Sequence, residues 1–177
     1  MGLRSLKSKL IMAVSSLVIG SGLLISLLVG QRYNNNLLEA MTAQAENLAQ
    51  GVALEAADKI LINDLVALQK TLDHHMASHP TIAYLFILRG EEILAHSFSG
   101  GIPAGLIRAN QAPSGGETHL QKIVSTQGDH YLDIAWPIFE GRAGVLRLGF
   151  SEGPYRRKAS YLWVQMSGLT LGILLLA

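Results

Sequence analysis

An α+β fold attached to a membrane is predicted by three observations. Leu10 to Gly30, LIMAVSSLVIGSGLLISLLVG, carries no charged residue. Gln31 to about His75 contains no proline and repeats its apolar residues at helical spacing. From Thr81 onward the apolar residues fall into short runs separated by polar turns, which is the pattern of strands and hairpins. The expectation is a long N-terminal helix that leads from membrane to domain and packs on a five-stranded antiparallel sheet, flanked by two transmembrane helices.

The first apolar segment is long enough to cross a hydrocarbon core of about 30 Å as a helix. A cleaved signal peptide is the competing interpretation. Its apolar region is usually ~7–15 residues, and Leu28-Val29-Gly30-Gln31 makes a poor cleavage site. Arg4, Lys7 and Lys9 precede the segment and only Arg32 follows closely, so the positive-inside bias puts the N-terminus in the cytoplasm. Tyr161 to Ala177 is also uncharged and has a length at the short end of the spanning range. The expected order is a cytoplasmic N-terminus at 1–9, a first transmembrane helix at 10–30, an outer domain at 31–160 and a second transmembrane helix at 161–177, inside which the chain ends. The expected location is an inner membrane, with residues 31–160 periplasmic or extracellular.

The chain has 177 residues, 49% of them apolar, a net charge of +1 and no cysteine. Thiolate metal sites and covalent haem attachment are excluded, and no basic face of the kind that binds nucleic acid is evident. Arg156-Arg157-Lys158 is the one basic cluster, next to the second apolar segment.

Between Gln31 and His75, Leu38, Met41, Ala45, Leu48 and Val52 alternate by three and four. A seam of this kind pairs with a second copy as a homodimer or faces the chain's own core; spacing alone leaves both open. Ile62, Leu65, Val66, Leu68 and Leu72 form a broader stripe suited to a sheet, and His79-Pro80 ends the helix. Strands are expected at Ile82–Leu88, Glu92–Phe98, Glu117–Thr126, His130–Phe139 and Ala143–Phe150, with a short helix at Ala104–Ala109 opened by Pro103 and a loop from Gln111 to Gly116.

This order, together with Ile93-Leu94-Ala95-His96-Ser97, Gly100-Gly101-Ile102-Pro103, Ile138-Phe139-Glu140-Gly141 and the run from Gly144 to Phe150, resembles the extracytoplasmic PAS-like sensor domains called Cache domains. These lie between the two membrane spans of bacterial sensor histidine kinases and chemoreceptors. The resemblance covers most of residues 31–160. It implies a sensor whose outer domain binds a small molecule and signals to a cytoplasmic output, first a histidine kinase, then a chemoreceptor or diguanylate cyclase. Citrate and dicarboxylate sensors of the related PAS-like type carry an arginine three residues before a histidine in this region; here that position is Ile93.

Successive strand residues point to opposite faces, so Ala83, Leu85 and Ile87 form an aliphatic face for the long helix, with Tyr84 and Phe86 behind it. Tyr131 and Asp133 share a face opposite Leu132, Ile134 and Trp136. The resemblance makes the face away from the long helix the ligand side. Its candidate ligand-binding residues are Tyr84, His96, Tyr131 and Asp133, with Arg108 on the short helix near the mouth. A strand carboxylate such as Asp133 alternatively faces water or pairs with a cation such as Arg147, and His96 alternatively is a hydrogen-bonded core residue. His75 and His79 are four apart, but no Asp, Glu or Cys nearby completes a metal set, so no metal or cofactor is expected. No nucleophile elbow, P-loop or zincin helix is present, and no catalytic residue is assigned. A pilin-like subunit and a tethered adhesion module are the alternatives from another class; a return to the membrane speaks against the first.

Overall fold

The computed structural model describes residues 6–103, 105–110 and 116–155, together with residues 157, 160, 161, 164, 165, 168 and 172. The chain divides into two compact units, Met1–Glu39 with Arg157–Ala177, and Ala40–Arg156. Helix α1, Leu6–Leu61, contributes to both. It is long and apolar enough to cross a membrane, and within the expected span Leu10, Leu17, Leu23, Leu24, Leu27 and Leu28 are exposed. Arg4, and most of the second expected span at 161–177, lie outside the described residues.

In the second unit the stripe Met41, Ala45, Ala49, Val52, Ala53, Ala56, Ala57 and Ile60 of α1 is buried within the chain itself. Three of the five residues of the seam, Met41, Ala45 and Val52, are therefore core residues, whereas Leu38 and Leu48 are half-buried. Alanines at this spacing leave room for the bulky residues opposite them to pack close to the helix.

One helix from Gln31 to His75 was expected, but α1 stops at Leu61 and a second helix, α2, spans Leu65–Ser78. Asn63 adopts a left-handed φ of 58°. Its N–H bonds to the Ile60 carbonyl at 3.1 Å and the Asp64 N–H to the Lys59 carbonyl at 2.8 Å, the paired bonds of a Schellman stop with asparagine in the position glycine usually takes. Asp64 then caps α2, its carboxylate accepting from Ala67 N at 2.9 Å. The corner changes which apolar residues are covered. Leu68 and Leu72 are fully buried, but Ile62 and Val66 are largely exposed and Leu65 is partly so, contrary to the continuous stripe expected from spacing.

The strands are β1 Ile82–Arg89, β2 Glu92–His96, β3 His119–Val124, β4 His130–Ile138 and β5 Gly144–Ser151, with a one-turn helix α3 at Leu106–Ala109. They form one antiparallel sheet in the order β2-β1-β5-β4-β3. Strand β2 ends at His96 rather than Phe98, because Ser97 turns its hydroxyl back to accept from Leu85 N at 2.9 Å. Ala104, where the short helix was expected to start, and residues 111–115 of the loop lie outside the described residues.

Cross-strand partners share a face. The pairs Leu85↔Leu148, Ile87↔Leu146 and Ile134↔Leu148 define an apolar face whose members are all fully buried. The pairs Phe86↔Arg147, Tyr84↔Gly149, Asp133↔Gly149 and Phe86↔His96 define the opposite one. Helix α2 also fastens the edge of the sheet: the Gln69 amide donates to the His96 carbonyl at 3.0 Å and accepts from the His96 N–H at 3.3 Å.

Candidate functional site

Strand parity brings Tyr84, Tyr131, Asp133 and His96 to one face, and the first three into one cluster. At its centre Asp133 and Arg147 are buried together, with Arg147 Nε 2.7 Å from Asp133 Oδ1. The other Asp133 oxygen accepts from the Tyr84 hydroxyl at 2.5 Å. Asn110, at the end of α3, donates through Nδ2 to Asp133 Oδ1 at 2.7 Å and to the Asp133 carbonyl at 3.0 Å. Its own Oδ1 lies 2.5 Å from His119 Nδ1, which makes that ring nitrogen the donor.

The remaining Arg147 donors go to backbone carbonyls. Nη2 reaches Leu106 O at 3.1 Å, and Nη1 reaches Ile107 O at 3.2 Å and also Asn110 O. One arginine thus collects the free C-terminal carbonyls of α3 and holds the short helix on the sheet. Its guanidinium also stacks over the Phe86 ring, 5.1 Å from the centroid. The alternative that spacing left open for Asp133, pairing with Arg147, is the arrangement the structure adopts. Removing one partner of such a pair strands a buried charge, at a cost of roughly 3–5 kcal/mol.

Gly149 makes the space for this cluster. A Cβ at that position would lie 2.2 Å from the Tyr84 ring, so only glycine lets the phenol reach across β5 to Asp133. Burial raises the Tyr84 phenol pKa, and the neighbouring Asp133 carboxylate raises it further, so the hydroxyl stays protonated as the donor the carboxylate needs. Tyr131 meets Tyr84 edge-on at 5.9 Å; its phenol pKa is raised by burial first and by the Asp129 carboxylate second.

Around this polar centre lies an aromatic group. Tyr84 stacks on Phe86 at 6.2 Å and on Phe98 at 5.6 Å, and His96 sits 6.5 Å from Phe98. The His96 backbone is held by Gln69, but its ring Nδ1 is buried and has no hydrogen-bond partner among the described residues. Arg108 is exposed on α3, whose carbonyls Arg147 gathers. Asn110, His119 and Gln69 were missed by sequence reasoning. Asn110 directly follows a one-turn helix and reads as loop; Arg147, a lone charge inside the apolar run Gly144–Phe150, was the visible signal.

Among the described residues no three His, Asp or Glu side chains come together as a metal site. His75 instead contacts Glu55 at 3.2 Å and stacks on His79 at 5.7 Å.

No family model matches this chain. Comparison with characterised proteins by sequence returns no match either.

Proposed function

We propose that this chain is the sensing part of a membrane-anchored signal transducer, with a Cache-like outer domain that binds a small molecule and passes the signal to a cytoplasmic output, first of all a histidine kinase. The observation that carries the reading is the second face of the sheet. There an aromatic group with an unpartnered buried His96 nitrogen surrounds a polar centre, the composition of a small-molecule site. The architecture of a long helix with a five-stranded antiparallel sheet supports the resemblance drawn from the sequence. An apolar helix long enough to cross a membrane supports the anchoring.

Asp133 and Arg147 satisfy one another, so their place in this reading is to hold α3 and the Tyr84 ring as the frame of the site. His96 and the exposed Arg108 are left to meet the ligand, a set that favours a carboxylate over an amine. With Met41, Ala45 and Val52 in the core, a homodimer through the long helix would use its outer side.

The test is a thermal-shift screen of small carboxylates and amines on the full chain in lipid nanodiscs, with reporter fusions for topology. A carboxylate should raise Tm, and His96→Ala and Arg108→Ala should each weaken its binding roughly tenfold. Binding unchanged in both variants, or a fusion at residue 110 active only as a cytoplasmic reporter, would overturn the reading.

A further inference from the structure

A cleft lies at the far end of the strands. The β1–β2 and β4–β5 turns meet the end of α1 around an open cleft of about 440 Å³, lined by Ile60, Leu61, Arg89, Phe139, Arg142 and Ala143. Four of these are apolar and two are arginines, one from each turn. Gly144 explains why the turns approach so closely: its φ is 127°, and a Cβ there would sit 2.5 Å from the Leu88 carbonyl. Phe139 and Glu140 both adopt left-handed backbone conformations, at φ 50° and 57°, which non-glycine residues adopt rarely. The result is a phenyl ring displayed in the cleft wall and about half exposed instead of packed in the core.

We propose that this cleft binds an amphipathic carboxylate. The apolar body lies against Ile60, Leu61, Phe139 and Ala143, and the carboxylate bridges Arg89 and Arg142. Two guanidiniums present paired N–H donors that match a carboxylate's two oxygens, and the volume falls within the range of small-molecule sites, about 300–1,000 Å³. Each arginine is occupied in the free chain by a neighbour, Arg89 by Glu92 at 3.0 Å and Arg142 by Glu140 at 3.2 Å. Both pairs are solvent-exposed and hence weak, so a bridging ligand that also covers apolar surface exchanges them at little cost. The end of α1 does not repel the anion strongly. Its carbonyls at Asp58, Lys59 and Ile60 already accept from Ile62, Asp64 and Asn63.

This site is separate from the aromatic face and does not depend on the sensor reading. Its test is a binding titration of 2-naphthoate, with the neutral isostere 2-naphthylmethanol, on the full chain in nanodiscs against empty nanodiscs. Naphthoate should bind saturably and the alcohol at least tenfold more weakly. Arg89→Gln and Arg142→Gln should each weaken naphthoate roughly tenfold, the loss of one charge-assisted contact, and leave the alcohol unchanged. Lys122→Gln, which removes an exposed cation on β3, should change neither. Both arginines are at the surface, so unchanged circular dichroism verifies that the variants fold. Absent saturable binding, equal affinity for acid and alcohol, insensitivity to both arginine variants, or an equal loss in Lys122→Gln would each overturn the assignment.

Discussion

The two faces of the sheet solve the same problem with opposite chemistry. On one, Leu85, Ile87, Ile134, Leu146 and Leu148 are buried by non-directional packing, and any well-fitting apolar surface can cover them. On the other, Arg147 holds a helix in place through directed bonds to one carboxylate and three carbonyls. The first face tolerates small shifts of its cover. The second admits a narrow set of geometries, because each bond lost leaves a buried polar group unsatisfied.

The comparison breaks most visibly at Asp133. Asp133→Ala should destabilise the domain by roughly 3–5 kcal/mol in urea unfolding followed by tryptophan fluorescence. Replacing the pair together, Asp133→Leu with Arg147→Met, removes the stranded charge but leaves the Tyr84 hydroxyl, the Asn110 amide and the α3 carbonyls without these partners, so it should recover only part of that loss; if the double variant is no better than the single, the penalty is not one of a stranded charge. On the apolar face Leu148→Ala should cost about 2–5 kcal/mol, with no partner substitution able to restore it.

Tyr84→Phe tests the directed face more gently, with an expected loss of about 1–3 kcal/mol from an unsatisfied carboxylate oxygen. It also has a pH signature. Because the folded-state pKa of Tyr84 is raised above the unfolded value of about 10, the stabilisation is complete below about pH 10 and is lost as pH rises through the folded value. In an absorbance titration of tyrosinate, the contribution of Tyr84 should be missing until alkaline unfolding, and Tyr84→Phe should remove that late step. The smallest effect belongs to the corner between α1 and α2: Asp64→Ala should cost about 1 kcal/mol by losing the cap of α2.

The same contrast decides what was legible in the sequence. The rule that successive strand residues point to opposite sides gave the correct faces in β1 and β4 once their apolar runs were read as strands. The five strands followed from the apolar runs and the turns between them, and the shared face of Tyr84, Asp133 and His96 from strand parity. The break at Asn63 was present as turn chemistry but was masked by apolar residues on both sides. Directed contacts were hardest. Asn110 and His119 lie on different elements and meet only because β3 pairs with β4 and α3 folds back over them. No spacing in the chain encodes that meeting.

Gln69 has a bearing on how copies of the domain behave toward one another. Strand β2 is the last in the sheet, and an outer strand presents bare N–H and C=O groups that another chain can zip onto. By occupying both backbone groups of His96, a single side-chain amide from α2 imitates the missing neighbour and denies an intruding strand its register. Gln69→Ala would leave the fold nearly unaltered and yet open this margin, so its signature should be faster aggregation at high concentration rather than a lower melting temperature.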